Sequence, residues 1–289
     1  MLRPLLFAVA FTLFGTCWSF GQDVKNDPQQ GKSVRFEGKE AGDRRELVPG
    51  IFFRWCPAGT FTMGSPQTEP GRSDNEDQVS VTLTKGYWLG ETEVTQGQWQ
   101  KSMGTTPWSW KGRENERAGD NYAASNISHD VAVKFCTKLT NEERTSGRLT
   151  QSWKYSMPTE AQWEYACRAG TTTRFSFGDD ETYLNEYEWF TKNAWDIGDT
   201  FAHEVGLKKP NPWGFRDMHG NVREWCADWY DDLQGGQDPE GPSTGSDRVN
   251  RGGGLHSDAC DCRSARRRLN SSDLVYSLNL GFRLAVVQE

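Results

Sequence analysis

The most constraining feature of this sequence is the long segment between Gly170 and Asp247, in which helical periodicity is weak. Gly, Pro, Asn and Asp recur throughout it, and these residues favour turns over regular elements. Irregular chain of this length is uncommon in a compact domain and is usually functional or braced by metal ions. The chain also carries 13 Trp, 15 Phe and 8 Tyr, whose rings bury large areas. We therefore expect a folded, loop-rich globule with an aromatic core.

Regular elements are predicted mainly ahead of that segment. Caps and apolar spacing predict helices over residues 95–103, 130–143 and 159–169. The third helix begins with a capping box, in which Thr159 is the cap and Gln162 the third residue, and Gly170 ends it. Short apolar or alternating runs predict strands at residues 51–55, 79–83, 250–253 and 280–287. The sequence therefore indicates an α+β fold that is irregular and rich in loops.

The charge pattern argues against nucleic-acid binding. The chain has 33 Lys and Arg against 40 Asp and Glu, a formal net charge of −7. Its one basic run, Arg263 to Arg268, lies in the segment assigned below to the candidate site. We therefore expect no nucleic-acid partner.

Residues 1–21 are typical of a signal peptide. Arg3 supplies the positive charge, residues 4–15 the apolar core, and Ser19 and Gly21 the small residues of a cut after Gly21. The apolar run is too short for a typical membrane span. We therefore expect export to the periplasm or the extracellular space, with no span after cleavage. Polar residues 22–45 predict a linker, and residues 46–289 remain for one folded domain.

Export would place the cysteines in an oxidising compartment. One of the seven, Cys17, lies in the predicted leader, and an even number remains in the mature chain. An even number permits disulfides, but the sequence does not select one among the many possible pairings. The remaining cysteines are Cys56, Cys136, Cys167, Cys226, Cys260 and Cys262.

Several short motifs follow one another along residues 46–288. They are PAGTFTMGS at 57–65, EVTQGQW at 93–99, MPTEAQWEYA at 157–166, DMHGNVREW at 217–225, RVNRGG at 248–253 and NLGFR at 279–283. Any one of them is a weak signal, but the complete set in this order is specific. Together they resemble the formylglycine-generating enzyme (sulfatase-modifying factor) family.

The resemblance implies a compact, irregular α+β fold related to C-type lectins and braced by calcium. It also implies a chemistry, because the oxidase members of the family use copper and molecular oxygen to convert a cysteine of a sulfatase motif into formylglycine. Such an enzyme is an oxidoreductase that acts on a protein thiol with oxygen as acceptor. Its partner would be an exported sulfatase, or another protein or peptide.

The resemblance places a calcium site in the motif at 217–225. The implied ligands are the carboxylates of Asp217 and Glu224 and the backbone carbonyls of Gly220 and Val222. Calcium takes hard oxygen ligands of both kinds, so the chemistry agrees. The alternative is a tight loop that enters a strand, with Glu224 merely solvated. The family's second calcium site belongs at residues 193–201, where its pattern is not recognisable.

The resemblance places the oxidase centre in residues 251–262. Oxidase members have a serine after two glycines and then two cysteines that hold copper(I), and these positions fall on Gly254, Ser257 and Cys262. Only Cys262 matches. Copper(I) is soft and prefers thiolates, so the hydroxyl of Ser257 is a poor replacement. Arg223 stands where the oxidases usually have tryptophan.

Cys260 leaves several roles open. It lies two positions before Cys262, and the two thiols could hold a soft metal or form a redox pair if this stretch is not a regular strand. In a strand the two side chains would share a face, which also permits proximity. Alternatively, Cys262 forms a disulfide with a distant cysteine such as Cys226, or the thiols are unreactive. Spacing gives no metal motif among the four histidines, which are expected to lie at the surface or to form hydrogen bonds.

Two functions therefore remain. The first is a copper-dependent oxidase that acts on a cysteine of an exported protein, with Cys262, Ser257 and Cys260 as the candidate catalytic residues. The second is a non-catalytic, lectin-like binding module on the same fold. The motifs support both equally, whereas Ser257 and Gly254 favour the second for sulfatase maturation itself.

Overall fold

The computed structural model describes residues 36–109, 118–274 and 277–289. The predicted signal peptide, 1–21, and most of the predicted linker, 22–45, lie outside the described residues. The end of that linker does not, because Arg44 and Arg45 already belong to the first strand. Residues 37–289 form one compact unit.

The described strands are short. They are β1 (Arg44–Val48), β2 (Ile51–Cys56), β3 (Gly59–Met63), β4 (Val79–Leu83), β5 (Tyr87–Gly90), β6 (Trp153–Ser156), β7 (Arg223–Trp229), β8 (Gly236–Gln237), β9 (Asp247–Arg251), β10 (Arg268–Ser271), β11 (Leu280–Gly281) and β12 (Ala285–Gln288). They form a five-stranded sheet in the order β1-β2-β5-β12-β6, a four-stranded sheet β10-β9-β7-β11 and a three-stranded sheet β3-β4-β8. The β7–β11 and β4–β8 pairs are parallel, and the other named pairs are antiparallel.

Two predicted strands differ from the observed ones. The predicted strand 280–287 is two strands, β11 and β12, which belong to different sheets. The predicted strand 250–253 ends at Arg251, because Gly252 and Gly253 have φ of 96° and 67°, outside the β region. The second difference matters for the site, since the chain turns out of β9 at these two glycines.

Helices occupy the predicted positions. They are α1 (Gln96–Met103), α2 (His129–Thr145), α3 (Glu160–Arg168) and the single-turn α4 (Leu184–Tyr187), with 3₁₀ turns at 181–183, 191–193, 195–197 and 259–262. The capping box of α3 is confirmed: Thr159 Oγ1 accepts the N–H of Gln162 at 3.2 Å, and Gln162 Oε1 accepts the N–H of Thr159 at 3.0 Å. Thr95 and Gln98 form the same arrangement at the start of α1.

We expect Thr159→Ala to destabilise the fold by about 1 kcal/mol, the usual cost of removing an N-cap. The measurement is the urea midpoint of the purified chain, with an unchanged slope taken as evidence that only the folded state is affected. Thr106→Ala, at an exposed threonine, is the matched control and should leave the midpoint in place. Equal midpoints for Thr159→Ala and the native chain would contradict the role of this cap.

Large aromatic side chains fill the core, as the composition predicts. Four tryptophans are 1 % exposed or less: Trp88, Trp99, Trp163 and Trp225. Trp99 of α1 stacks on Phe135 of α2 with ring centroids 5.4 Å apart, which joins the two helices. No helix within the described ranges is both long and apolar enough to cross a bilayer.

Candidate functional site

The segment after β9 is folded against itself by two glycines. A Cβ at Gly253 would lie 2.9 Å from Cys262 Sγ and 3.1 Å from the carbonyl oxygen of Asp261. The positive φ of Gly253 and this close approach both require glycine. The motif RVNRGG therefore ends in a turn that brings residues 259–262 back onto the end of β9.

Ser257 is buried, and its hydroxyl holds the local loop together. Its Oγ accepts the N–H of Gly254 at 3.1 Å, and its own N–H donates to the carbonyl of Gly254 at 2.8 Å. Its carbonyl accepts the N–H of Thr191 at 3.0 Å. The side chain at the first copper position therefore acts as a hydrogen-bond acceptor for the backbone.

Cys262 lies in a small apolar cluster and is fully buried. Burial raises the pKa of its thiol well above the usual value, and the nearby carboxylate of Glu188 raises it further. Its carbonyl contacts His219 Nδ1 at 2.8 Å. At neutral pH this side chain is therefore a neutral thiol packed on Phe175 and Phe190.

Cys260 and Cys262 do not lie in a regular strand. Residues 259–262 form a 3₁₀ turn, in which side chains two positions apart point in different directions. Cys260 is partly exposed, and its Cβ lies 2.8 Å from where a Cβ on Gly71 would be. The six cysteines of the described chain are free thiols, so the alternative Cys226–Cys262 disulfide is not formed.

Three of the four histidines are buried and hydrogen-bonded. His219 contacts Cys262, His129 contacts the carbonyl of Cys226 at 3.1 Å, and His203 contacts Asp199 at 3.0 Å. His256 is partly exposed. Of the two predicted roles, surface or hydrogen bonding, these three histidines have the second.

Glu224, an expected calcium ligand, is engaged by other side chains. Arg283 donates Nε to Oε2 and Nη2 to Oε1, each at 2.6 Å, and Trp163 Nε1 donates to Oε2 at 2.8 Å. All three side chains are fully buried. Breaking such a buried pair costs about 3–5 kcal/mol, so this contact ties β7 to the chain between β11 and β12.

One carboxylate oxygen of Asp217 receives no backbone or hydroxyl donor. Its backbone is left-handed, with φ of 58°, and its Oδ2 accepts the N–H of Gly206 at 2.6 Å. Its Oδ1 is buried and receives no N–H or hydroxyl donor of the described residues, but the carboxyl of Glu93 is within hydrogen-bonding reach of the Asp217 side chain. Burial raises the pKa of Asp217 to about 6.

Two carboxylates that the sequence interpretation missed interact with Asp217. Both oxygens of Glu93 and Oε2 of Glu188 are buried and receive no N–H or hydroxyl donor in the described chain. Burial raises the pKa of each well above its usual value, and the charge of Asp217 raises both further. Glu93 could have been found from the sequence, because it is the first residue of the motif EVTQGQW. Glu188 lies in irregular chain where no sequence pattern indicates a functional residue.

The donors around Asp217 suit a hard cation in their chemistry. The buried carboxyl oxygens of Asp217 and Glu93, which receive no N–H or hydroxyl donor, are the type that calcium binds, whereas those of Glu224 are occupied. In the described ranges no three side chains of His, Cys, Asp or Glu converge as a metal centre. Carbonyl oxygens would therefore have to complete a calcium shell of about six to eight ligands.

The carbonyl donors implied by the resemblance lie in the loop before β7. A Cβ on Gly220 would lie 2.4 Å from the carbonyl oxygen of Trp189, so only glycine fits there. Asn221 follows with φ of 59°, and its N–H donates to the same Trp189 oxygen at 2.8 Å. Val222 is fully buried immediately before β7. The loop conformation is thus fixed by packing on residue 189.

Comparison with known proteins decides the family. The model of the sulfatase-modifying factor enzyme 1-like domain matches residues 45–288. This chain belongs to that family. The formylglycine-generating enzyme of Mus musculus is 28% identical over 277 residues, which cover 79% of this chain and 73% of the mouse protein. That of Streptomyces coelicolor is 28% identical over 284 residues, which cover 79% of this chain and 87% of its own.

Two solved structures share the fold of this sulfatase-modifying factor family member. Treponema denticola variable protein 1 matches with a TM-score of 0.71 and 28% identity, over 84% of this chain and 98% of its own. PvdO from Pseudomonas aeruginosa matches with a TM-score of 0.74 and 25% identity, over 86% of this chain and 99% of its own. The α+β, loop-rich fold is therefore confirmed, and its relation to C-type lectins stays a prediction.

The copper centre of the oxidase members does not fit the donors in this family member. Cys262 provides one thiol, Ser257 provides a hydroxyl that accepts a backbone N–H, and Cys260 lies on another side of the turn. One buried neutral thiol is a poor site for copper(I), which prefers paired thiolates. The residues present thus retain the framework of the site without its ligand pair.

Proposed function

We propose that this family member recognises a segment of an exported partner protein and, in its native form, does not oxidise a cysteine of that segment through copper. The observation that supports this is the state of Ser257, whose hydroxyl stands at the first copper position and accepts the N–H of Gly254. The six motifs occur in family order, and the family model matches residues 45–288 around this position. A scaffold kept with one copper ligand missing is compatible with a binding module, because a fold can be retained without its chemistry.

The decisive test is incubation of the copper-supplied native chain with a peptide that carries a sulfatase-type cysteine motif. We expect the mass of the peptide cysteine to remain unchanged while the peptide still binds, as measured by fluorescence anisotropy of a labelled copy. Cys262→Ser should leave both results as they are. Conversion of the cysteine to formylglycine by the native chain, lost in Cys262→Ser, would instead establish the oxidase.

Calcium is proposed as the structural ion, with Asp217, Glu93 and the carbonyls of Gly220 and Val222 as its ligands. Buried carboxylate oxygens that receive no N–H or hydroxyl donor motivate this assignment. Such an ion would neutralise charges that burial disfavours and would hold the loop before β7 in place. It would take no part in chemistry at Cys262.

We expect calcium to raise the melting temperature relative to a chelator. An ion that binds only the folded state contributes RT ln(1 + [L]/Kd), about 2.7 kcal/mol at a hundredfold excess over Kd. Glu93→Gln should weaken the response, and Glu142→Gln, at an exposed helical position of α2, should retain it. Identical melting curves of the native chain with calcium and with chelator would rule out the site.

A further inference from the structure

Asp228, in β7, carries a buried carboxylate whose hydrogen bonds leave one oxygen open. The residue is 5 % exposed, and its Oδ2 accepts the N–H of Glu160 at 2.8 Å. Its own backbone N–H also acts on the carboxylate, but no other residue of the described chain donates to Oδ1. Asp228 also forms no ion pair with a Lys, Arg or His of the described ranges. Buried carboxylates usually have a charged partner, so this one can accept a cation from outside the chain.

A narrow cavity lies beside this carboxylate. It is lined by Asp228, Trp229 and Gly241 among others, and its volume is about 20 Å³. A Cβ on Gly241 would lie 3.5 Å from Asp228 Oδ1 and 3.0 Å from the carbonyl oxygen of Trp229, so the glycine keeps side-chain atoms away from both oxygens. Its φ of 69° also favours glycine. The cavity has room for one water molecule or one ammonium group, since a water needs at least about 10–15 Å³.

The lining of the cavity combines exposed carboxylates with apolar side chains. Asp231 and Asp232 belong to it, and both are exposed. Neither forms an ion pair with another described residue. Apolar side chains in the lining include Leu233, Pro239 and Pro242. A cation carried on an apolar stem would find contacts for its charge and for its stem.

Arg267 is the one basic residue among the described residues that line the cavity. Its Nε and Nη2 donate to the two oxygens of Glu160 at 2.6 and 2.8 Å. Arg251 also approaches Glu160, at 3.3 Å, but it does not line the cavity. The charged side chains of the lining are thus one ion pair and three aspartates, and their sum attracts a cation.

The donors favour an ammonium group over a metal ion or a guanidinium. In the described ranges no three side chains of His, Cys, Asp or Glu converge as a metal centre. An ammonium group needs no such cluster, because it donates up to three hydrogen bonds to carboxylate or carbonyl oxygens. A guanidinium is a planar fork with five donors, which is larger than a space for one water molecule.

We propose that the Asp228 cavity binds a primary ammonium group, presented by a lysine of a partner protein or by a small amine. Asp228 Oδ1 accepts one of its N–H groups, and the carbonyl of Trp229 lies beside it. The exposed carboxylates of Asp231 and Asp232 attract the cation to the cavity. The site involves neither Ser257 nor Cys262, so it goes beyond the proposed function.

A bound cation would offset the cost of burying this carboxylate. Burial, together with the negative charge of Glu160, raises the pKa of Asp228 to about 7. A neighbouring ammonium group favours the ionised carboxylate, so binding and ionisation support each other. At pH 8 the carboxylate form is available, and an alkylamine is still protonated, as lysine is up to about pH 10. Experiments at pH 8 therefore present both charges.

The first test is calorimetric titration of the native chain at pH 8 with butylammonium chloride. Tetramethylammonium chloride at matched ionic strength is the control, because it carries the same charge, has no N–H and is wider at the charged end. We expect saturable binding of butylammonium alone. Equal responses to the two salts would overturn the proposal. So would the absence of saturable butylammonium binding, which is the result expected of a cavity that holds only water.

Asp228→Asn removes the charge and retains an oxygen that can accept the N–H of Glu160. It should weaken butylammonium binding roughly 10-fold, the difference between a hydrogen bond to a charged group and one to a neutral group. Asp196→Asn, at an exposed aspartate outside the cavity, is the matched control and should bind as the native chain does. Undiminished binding by Asp228→Asn would place the amine elsewhere and contradict the site.

Gly241→Ala tests the cavity without a change in charge, and it keeps the proposal testable if Asp228→Asn fails to fold. The added Cβ would stand beside Asp228 Oδ1 and the Trp229 carbonyl, so butylammonium binding should be lost. Gly104→Ala controls for backbone strain, because Gly104 has φ of 68° and an added Cβ would meet nothing within 4 Å. Equal butylammonium binding by Gly241→Ala and Gly104→Ala would refute the cavity as the site.

A hexapeptide with one lysine and its copy acetylated on that lysine, both with blocked termini, identify the source of the ammonium group. Tighter binding of the lysine peptide than of butylammonium, lost on acetylation and in Asp228→Asn, supports a lysine of a partner protein. Binding of butylammonium without a gain from the peptide supports a small amine ligand. Neither measurement uses the cysteine peptide of the proposed function, so failure here is distinct from failure of that proposal.

Discussion

Ser257→Cys should bind copper(I) more tightly than the native chain by more than roughly 100-fold, since even outer-shell partners change metal affinity by about 10- to 100-fold. The substitution adds a second soft ligand at the position where the hydroxyl of Ser257 now accepts the N–H of Gly254. Loss of that hydrogen bond costs about 1 kcal/mol, which the fold should tolerate. Competition against a copper(I) chelator of known affinity measures the gain.

Two controls assign the gain to a thiol pair. Ser257→Ala removes the hydroxyl without adding a ligand and should bind copper(I) as weakly as the native chain. Cys262→Ser in the Ser257→Cys background should cancel the gain, because the second thiol is then missing. Tight binding that survives in the double variant would place the copper elsewhere and contradict the site assignment.

Restored binding need not restore oxidation of a peptide cysteine. Gly254 also lacks the hydroxyl that the oxidase members have after the two glycines, and Gly254→Ser would supply it. A Cβ there would lie 3.3 Å from the Asn221 carbonyl oxygen and at least 3.5 Å from other atoms, so the substitution fits with a small adjustment. Arg223 still occupies the position of the oxidase tryptophan, and its charge favours an anion over an apolar contact.

Local signals in the sequence predicted local structure well. The caps at Thr95 and Thr159 are recognisable because a capping box links residues three apart, and the structure contains both. The ordered motifs likewise indicated the family, which the match over residues 45–288 confirms. The aromatic core follows from composition, since rings of that size must be buried somewhere.

Contacts between side chains that are far apart in the sequence could not be predicted from it. Glu224 binds Arg283, 59 positions later, and no local pattern separates an ion pair from a calcium ligand at a carboxylate in a turn. Glu188 likewise interacts electrostatically with Asp217, and Glu188 lies in irregular chain whose path no local pattern predicts. Cys260 and Cys262 lie on a 3₁₀ turn, in which side chains two positions apart point in different directions, and the sequence pattern did not predict that turn.

We expect the native fold to lose stability as pH rises because of Asp228, and we expect Asp228→Asn to remove that loss. This buried carboxylate in β7 accepts the N–H of Glu160 at 2.8 Å, at the first residue of α3. Burial, together with the negative charge of Glu160, raises the pKa of Asp228 from an ordinary 3.8 to about 7. The folded chain therefore holds a proton on Asp228 that the unfolded chain releases.

The direction follows from proton linkage. The contribution of Asp228 to stability is fully present below pH 3.8, its ordinary pKa, and falls as pH rises to about 7. Each unit of pKa difference corresponds to about 1.4 kcal/mol, so the change is on the order of a few kcal/mol. The raised pKa values of Asp217, Glu93 and Glu188 also make stability fall as pH rises. These three residues are present in both the native chain and Asp228→Asn, so they cancel in a comparison of the two.

Comparison of the native chain with Asp228→Asn isolates this one group. The amide oxygen can still accept the N–H of Glu160, but no charge forms at high pH, so the variant should exceed the native chain in urea midpoint at pH 8. At pH 4 the two midpoints should approach each other, and the native chain alone should show the excess slope between pH 4 and pH 7. Asp196→Asn, at an exposed aspartate, controls for loss of a surface charge. Parallel pH profiles for native chain and Asp228→Asn would mean that Asp228 is ionised in the fold, with Arg267 and the N–H of Glu160 outweighing burial.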